Sequence, residues 1–337
     1  MRSALALSLS CAAFLVASDV PDRAATLQRP TQFRTSVTGR GIPVLVREGQ
    51  RPVTDLRSSE FVLSDSGVEQ EIRLVAPGSV SLDVSLVVQQ TLRVWFTATD
   101  SFRSEVTEIA RVLKKGDRLR IVSAGDQVEE LIPLSERPEL PDLQPKNDTC
   151  TPLYDALASV FMRPVESGRQ HVVISLSRDE GWGNIVNADA LTQIAQRSDA
   201  VLHVLLAERD HGRTIWRTWT RWPVCAPMFA DWDTARRDRL RTISGMREVT
   251  DQDRAIFDLQ RERLVSIAKA TGGGEIRSGL FTGSIKDPVQ RVLEEARAGY
   301  LLYYEPKGVP ERGWHPIEVK VTRPGRFEVR ARPGYLN

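Results

Sequence analysis

The chain has 337 residues, of which 41% are hydrophobic and 27% are charged, and its formal net charge is +2. This composition is typical of an ordinary globular protein with one large domain or two smaller ones. The nearly balanced charge argues against a nucleic-acid or membrane-surface role, because such partners require a concentrated basic face.

The first 18 residues predict a secretory signal peptide. Arg2 gives a positive start, residues 4–17 form an apolar run, and Val16, Ala17 and Ser18 offer small residues for cleavage. The run is short for a transmembrane helix, and no later segment is long and apolar enough to cross a bilayer. We therefore expect a secreted or periplasmic protein with a polar tether at residues 19–32. A buried N-terminal helix is the alternative.

Residues 33–78 show strand and turn patterns without helical periodicity, which predicts an N-terminal β module. Segments 60–65 and 68–75 flank Ser66 and Gly67, and this arrangement predicts a hairpin. The C-terminal residues 299–337 return to the same strand pattern. We expect these two β-rich ends to pair with each other and form one small β domain. Two separate β decorations are the alternative.

Between residues 79 and 298, strand patterns alternate with amphipathic helical patterns. This alternation predicts a doubly wound, mostly parallel α/β sheet. The predicted strands lie at 81–89, 117–124, 129–134, 170–177, 200–207 and 274–278. The predicted helices lie at 102–113, 152–162, 188–195, 256–270 and 287–298.

An insertion at residues 207–254 interrupts the alternation. It contains ten arginines, no lysine and four of the seven tryptophans of the chain, namely Trp216, Trp219, Trp222 and Trp232. Tryptophan and arginine are enriched where protein partners bind most tightly, so these tryptophans are the candidate partner surface. A local mini-core or a cover over the sheet edge is the alternative.

Two cysteines, Cys150 and Cys225, remain after the predicted signal peptide. In an oxidising compartment they can form one disulfide, which would fasten the insertion, or they can remain two separate thiols. No paired-cysteine spacing typical of a metal site is present.

Sequence motifs typical of enzymes are missing. The chain contains no Gly-x-Ser-x-Gly elbow, no Walker lysine loop, no Gly-x-Gly-x-x-Gly and no His-Glu-x-x-His. His171 and His203 lie inside apolar strands, where packing is the simpler role. We therefore predict a protein without enzymatic activity. An unrecognised α/β hydrolase that uses Ser177 near Asp179 is the alternative from another class.

Several segments resemble landmarks of the bacterial VWFA-related family. They are RPVTDLRSSEFVLSDSGVEQEI at 51–72, LKKGDRLRIV at 113–122, TPLYDAL at 151–157, GYLLYYEP at 299–306 and VRARPGY at 329–335. The resemblance spans nearly all of the chain after the signal peptide. It implies a von Willebrand factor A-like domain, a doubly wound α/β fold that binds proteins or matrix through a metal site at the top of its sheet.

In that fold an Asp-x-Ser-x-Ser run, a threonine on a second loop and a later aspartate bind the ion. The resemblance places these positions on Gln89, Thr91, Arg93, Thr151 and Ser177. Both charged ligands are thus replaced and a guanidinium is added. Because cation affinity follows the charge and number of oxygen ligands, Mg²⁺ and Ca²⁺ are disfavoured.

Two alternatives keep a cation site. Asp148, Asp179 or Glu180 could supply a missing carboxylate, or the run at residues 100–104, DSFRS, could be the true ligand segment. With no ion, Arg93 is expected to attract an acidic group of the partner, because guanidinium matches carboxylate geometry.

Taken together, the sequence predicts an exported, non-enzymatic protein-binding or scaffolding protein with a degenerate, metal-free site and no cofactor. Its protein partner is not identified by the sequence. Divalent-metal-dependent adhesion is the alternative that keeps the same fold.

Overall fold

The computed structural model describes residues 39–89, 99–125, 127–139, 151–164, 166, 168–177, 181, 183–207, 214–219, 243–248, 251–278 and 285–337. The predicted signal peptide and tether lie outside these ranges. Within them, no helix combines the length and apolar character needed to cross a membrane.

The strands are β1 (Arg40–Glu48), β2 (Arg51–Pro52), β3 (Phe61–Asp65), β4 (Val68–Gln70), β5 (Ile72–Val75), β6 (Ser81–Gln89), β7 (Arg118–Ala124), β8 (Val128–Ser135), β9 (Arg169–Ser177), β10 (Val201–Ala207), β11 (Thr214–Trp219), β12 (Ile243–Glu248), β13 (Gly274–Ser278), β14 (Tyr300–Tyr304), β15 (Trp314–Val321), β16 (Glu328–Ala331) and β17 (Gly334–Leu336). The α-helices are α1 (Thr99–Val112), α2 (Leu153–Phe161), α3 (Ala188–Arg197), α4 (Asp251–Ala270) and α5 (Lys286–Ala298).

The central sheet has the strand order β13-β10-β9-β6-β7-β8. Neighbouring strands are parallel except for β8, which runs antiparallel to β7. Eight of the nine residues of β6 are buried, as expected for a strand covered by helices on both faces. The predicted doubly wound sheet is therefore confirmed.

Alternate residues of the central strands pack into two cores, one on each face. One core joins Leu86 and Ile174 to helices α1 and α5 through Ile109, Val289 and Leu293. The other joins Val87 and Val173 to α2, α3 and α4 through Leu157, Leu191 and Leu264. The period-two burial of the strands thus sets which side chains meet which helices.

The two ends of the chain build one β domain, which confirms the predicted pairing of the termini. In the first sheet β1 lies between β14 and β16, and β14 lies between β1 and β5. In the second sheet β15 lies between β17 and β3, and β3 pairs with β4 across the hairpin turn at Ser66 and Gly67. Apolar side chains from both sheets share one core.

The segment 68–75 differs from the single strand that its pattern predicts. It breaks at Glu71, so that β4 lies in the second sheet and β5 in the first. The side chain of Gln70 is buried and bonds the backbone N and O of Lys307, which fixes the point where the chain changes sheet. A strand pattern alone carries no signal for such a crossing.

The carboxylate of Asp65 connects four strands inside the β domain. It accepts hydrogen bonds from the hydroxyls of Tyr304 and Tyr335 at 2.8 Å each, and its other oxygen lies 3.0 Å from Nδ1 of His315. Asp65 is fully buried, and burial by itself raises the pKa of its carboxyl. The hydrogen bonds outweigh that effect and lower the pKa, so the group stays ionised.

Charged side chains fix the β domain to the α/β domain. Arg332 is buried and donates to the carbonyls of Gln196 and Ser198 at 2.8 Å each, so it caps the carboxyl end of α3. On the other face of the sheet, the carboxylate of Glu295 in α5 binds both Arg47 and Arg330. The domains are therefore joined on both faces.

We predict that Asp65→Asn lowers the free energy of unfolding by about 3 kcal/mol, because the buried hydroxyls lose a charged acceptor. Chemical denaturation measures the change. Asp55→Asn is the control: the Asp55 side chain is 76% exposed and pairs with Arg323, so its loss should cost less than about 1 kcal/mol. Equal losses for the two variants would contradict the role given to Asp65.

A second prediction concerns His203, which lies in β10 and is buried. Burial, reinforced by Arg330 and opposed by Glu295, lowers its pKa from 6.5 to about 4. The unfolded chain therefore binds a proton that the folded chain excludes, and stability falls as the pH drops from about 6.5 to about 4. Between pH 7 and pH 5, the free energy of unfolding of His203→Leu should fall by about 2 kcal/mol less than that of the wild type. Chemical denaturation at the two pH values measures both changes. If the variant and the wild type lose the same free energy of unfolding, the imidazole of His203 takes up its proton in the folded state.

Candidate functional site

The candidate site lies where the order in which strands are added to the sheet changes from one side to the other. From β6 the chain proceeds to β7 and β8 on one side, and then continues with β9 and β10 on the other. In open α/β sheets, the crevice at such a switch point lies beyond the carboxyl ends of the strands and is the usual binding site. Gln89 ends β6 and Ser177 ends the neighbouring β9, so both lie at this carboxyl end of the sheet.

Gln89 and Thr151 are in direct contact. The side-chain Nε2 of Gln89 donates to Oγ1 of Thr151 at 3.3 Å, and the two residues are 0% and 1% exposed. Thr151 precedes α2 by two residues, so this hydrogen bond connects the end of β6 to the start of α2. Both residues make further contacts in the structure.

Ser177 lies at the same end of the sheet. The parallel register pairs Val88 with Leu176, which places Ser177 at the level of Gln89. Ser177 is 0% exposed, and its hydroxyl accepts a hydrogen bond from the hydroxyl of Ser175 at 3.3 Å. The structure thus brings together three of the predicted positions, at residues 89, 151 and 177, and all three are neutral.

The loop that follows β9 is fastened to the start of α2. The carboxylate of Asp155 accepts from the backbone N of Ile185 at 3.0 Å and from that of Val186 at 2.7 Å. In return, the Oδ1 of Asn184 accepts from the backbone N of Tyr154 at 2.7 Å. We call this arrangement the loop clamp.

Gly181 brings the same loop onto Thr151. Its φ of +76° suits glycine, and a Cβ at this position would lie 1.9 Å from the carbonyl oxygen of Thr151. The loop clamp holds the backbone of Ile185, but the side chain of this residue is 84% exposed. The loop therefore has a backbone fixed at several points and presents an apolar side chain to solvent.

Sequence reasoning missed Asp155, Asn184 and Gly181. Asp155 carried a usable signal, because it lies in the segment TPLYDAL and in the first turn of a predicted helix. Gly181 and Asn184 stand in the turn-like run GWGN, which indicates a loop without indicating what the loop contacts.

Several predicted positions lie outside the described residues: Thr91, Arg93, Asp148, Asp179, Glu180, Cys150, Cys225, Trp222 and Trp232. Trp216 and Trp219 belong to β11, whose backbone pairs with β12 and sets Trp216 opposite Met246 and Trp219 opposite Ile243.

The alternative ligand run at residues 100–104 lies inside α1, not at the end of a strand. The structure therefore does not support that alternative.

The described donors at the site do not by themselves fit a divalent cation. Such ions require several oxygen ligands, usually with carboxylates among them, whereas residues 89, 151 and 177 offer one amide and two hydroxyls. The N–H of Gln89 is directed at the Thr151 oxygen that a cation would use. In the described part of the chain, no group of three or more His, Cys, Asp or Glu side chains could hold a metal ion.

A cluster of ionised groups lies at the opposite, amino end of the strands. Asp83 binds Arg118 and Arg169 there, each at 2.7 Å. Nearby, Ser85 Oγ lies 2.9 Å from Nε2 of His171, a serine–histidine contact that the sequence did not reveal. Burial, aided by Arg120, lowers the pKa of His171 to about 4, so its imidazole is neutral. Because Asp83 binds the two arginines, the three residues do not form a catalytic triad.

We predict that Asp155→Ala releases the loop clamp. The free energy of unfolding should fall by about 2 kcal/mol, because two backbone N–H groups lose a charged acceptor. Hydrogen exchange at the amides of Ile185 and Val186 should accelerate at least about tenfold, since exchange then needs only local opening. Asp189→Ala, at an exposed position in the first turn of α3, is the control. Equal exchange rates in the two variants would contradict the clamp.

Comparison with known proteins gave structural likenesses only. No protein-family model matches the chain, and no curated protein matches it. Among solved structures, the conserved hypothetical protein BatB from Bacteroides thetaiotaomicron has 10% identity and a TM-score of 0.39, with 64% of this chain and 98% of that chain covered.

Two further structures show a similar degree of likeness. A von Willebrand factor type A protein from Catenulispora acidiphila has 10% identity and a TM-score of 0.38, covering 90% of this chain and 75% of that chain. Proximal thread matrix protein 1 from the mussel byssus, described with a zinc-occupied MIDAS motif, has 10% identity and a TM-score of 0.43, covering 69% of this chain and 50% of that chain.

At these scores the likenesses carry no functional argument, and the fold is assigned from the strand order of the chain itself. The switch between β6 and β9, the single antiparallel edge strand β8 and the helices on both faces agree with the fold that the sequence resemblance implied. The α/β part of the chain has a von Willebrand factor A-like fold.

Proposed function

We propose that the chain is an exported, non-enzymatic protein that binds or scaffolds another protein without a bridging metal ion. The observation that supports this most directly is the hydrogen bond from the amide of Gln89 to the hydroxyl of Thr151. It joins two positions that would bind an ion in a von Willebrand factor A-like site, and it does so with neutral groups.

Electrostatics favours the metal-free form of this site. A divalent cation in a buried pocket must be neutralised by nearby anions, and burial without them is strongly unfavourable. Gln89, Thr151 and Ser177 are buried and carry no charge. In the sequence, Arg93 follows four residues after Gln89, and Asp179 and Glu180 follow shortly after Ser177. We propose that no metal and no other cofactor binds here.

The described serines support a protein without hydrolytic activity. A serine nucleophile needs a base within hydrogen-bond reach. Among the described residues, the hydroxyl of Ser177 accepts from that of Ser175, which is not a base, and Asp179 lies outside the described residues. Ser85 does contact His171, but burial lowers the pKa of that imidazole to about 4, which makes it a poor general base at neutral pH.

For the partner surface we propose the loops at the carboxyl end of the sheet. The loop held by the clamp exposes Ile185 there, and a fixed backbone reduces the entropy lost when a partner covers that side chain. The insertion leaves β10 at the same end, because β10 is parallel to β9. Its tryptophans and arginines suit a protein interface. We further propose that the signal peptide directs the chain to the periplasm or the cell exterior.

Calorimetric titration of the purified protein with MgCl₂ and MnCl₂ tests the absence of an ion. We expect no saturable heat up to about 5 mM of either ion, a concentration above the Kd of weak extracellular cation sites. Stoichiometric uptake that Thr151→Val abolishes would overturn the proposal and favour metal-dependent adhesion.

Binding itself is tested with a partner identified by chemical cross-linking and then purified. Its affinity should be the same in EDTA and in MgCl₂, and Ile185→Asp should weaken it at least about tenfold, as for an apolar contact at the centre of an interface. Met162→Asp is the matched control, because Met162 is also highly exposed but follows α2 at the far end of that helix. A partner lost in EDTA, or one that is insensitive to Ile185→Asp, would contradict the proposed surface.

A further inference from the structure

We infer that the junction between the β domain and the α/β domain is an acid-sensitive latch: protonation of two buried histidines, His203 and His171, opens the junction while both domains stay folded. This inference goes beyond the proposed function, because it concerns the amino end of the central sheet and assigns no role to the carboxyl end.

In the described part of the chain, the backbone crosses between the two domains at two places that lie side by side. Residues 76–80 lead from β5 to β6, and Gly299 alone lies between α5 and β14. The antiparallel register pairs Val75 with Leu301, so the two crossings are neighbours. A groove of about 620 Å³ lies beside them and is lined in part by Pro77, Gly78, Arg297 and Ala298. The β domain can therefore turn about this pair of crossings once the noncovalent contacts are released.

Charged contacts form the noncovalent part of the junction, and we call them the latch. On the α5 face of the sheet, the carboxylate of Glu295 binds Arg47 of β1 and Arg330 of β16 through separate oxygens. On the α3 face, Arg332 donates to the carbonyl of Ser198. Contacts of this kind weaken when a further charge is placed beside them, because the Coulomb energy of a partly buried charge is large.

His203 lies in β10 beside the latch on the α5 face. It is 3% exposed, and the charged groups that act on it are Arg330 and Glu295. The nearby pair of Glu275 and Arg261 joins β13 to α4 on the opposite face. Among the described residues, Nδ1 of His203 has no hydrogen-bond partner. A protonated imidazole would thus bury a charge beside an arginine with one N–H unsatisfied, so the closed junction resists protonation.

The second histidine lies at the boundary with the β domain on the other face of the sheet. His171, near the start of β9, is 4% exposed, and it lines a cavity of about 100 Å³ together with Gly41 of β1 and Tyr303 of β14. The charged groups on this side are Asp83 of β6, Arg118 and Arg120 of β7, Glu130 of β8, Arg163 after α2, Glu166 and Arg169 near the start of β9, and Asp199 before β10. Burial and Arg120 disfavour a proton on His171, although Asp83 favours it. Separation of the domains opens this cavity and gives water access to the imidazole.

Opening the junction therefore changes the proton affinity of both histidines. In the closed form the pKa of each is about 4, and contact with water returns it toward 6.5. The open form binds protons that the closed form excludes, so acid favours opening. Between pH 7 and pH 5, the ratio of open to closed molecules should rise about 20-fold for each histidine and about 400-fold for both. The carboxyl of Glu295, whose pKa is lowered in the closed form, adds to the effect only near and below its ordinary pKa of 4.5.

Small-angle X-ray scattering and far-UV circular dichroism of the full chain between pH 7 and pH 4 test the inference. We expect the radius of gyration to rise as the pH falls while the far-UV spectrum is retained, because the domains separate without unfolding. The double variant His203→Leu with His171→Gln should lower the midpoint of this rise by at least about one pH unit. Glu295→Gln should raise the midpoint, since it weakens both arginine contacts.

His315→Gln is the matched control. His315 is also a buried histidine, 1% exposed, but it lies inside the β domain beside Asp65. Its replacement should leave the midpoint where it is in the wild type.

Three results would each overturn the inference. They are a radius of gyration that stays constant down to pH 4, an expansion that coincides with loss of the far-UV signal, and a midpoint that the double variant shifts no more than His315→Gln does. If the double variant does not fold at pH 7, His203→Leu alone is judged by the same midpoint, which should fall by a smaller amount.

Discussion

The β domain depends on one buried carboxylate. Asp65, at the end of β3, accepts hydrogen bonds from tyrosines of β14 and β17 and lies within hydrogen-bond distance of His315 in β15. The imidazole of His315 stacks on the ring of Tyr335 at 4.5 Å, and the guanidinium of Arg40 lies 4.2 Å from that ring. These contacts join strands from the two ends of the chain, which are separated in sequence by the whole α/β domain. A buried, ionised group requires such complete hydrogen bonding, so the arrangement of the four strands is strongly specified.

That constraint extends into the α/β domain because α5 is followed almost directly by β14. Gly299 alone separates them, and β14 is an inner strand of the first β sheet. Glu295 then binds Arg47 and Arg330 on one side of the sheet, while Arg332 caps α3 on the other. The β domain thus holds the last helix and the third helix at the same time, so it supports the α/β fold as well as extending it.

The two ends of the central sheet differ in their electrostatics. At the amino end, Asp83, Arg118 and Arg169 form a network of ion pairs beside the β domain. At the carboxyl end, the described positions of the candidate site are an amide and hydroxyls: Gln89 bonds Thr151, and Ser177 bonds Ser175. The described residues at the carboxyl end are held by hydrogen bonds between neutral groups, by the Asp155 carboxylate of the loop clamp and by the close packing of Gly181 on Thr151.

The sequence by itself determined the fold class, because the helical and strand periodicities between residues 79 and 298 report directly on which positions are buried. It also indicated the candidate site, since the apolar run that stops at Gln89 predicts the carboxyl end of a strand, and the family resemblance added Thr151 and Ser177. Only the tertiary structure decided that Gln89 bonds Thr151, that Asp155 holds the loop around Ile185, and that the strand at 68–75 divides between two sheets. These features depend on residues far apart in the chain and on the direction of single side chains, and local periodicity records neither.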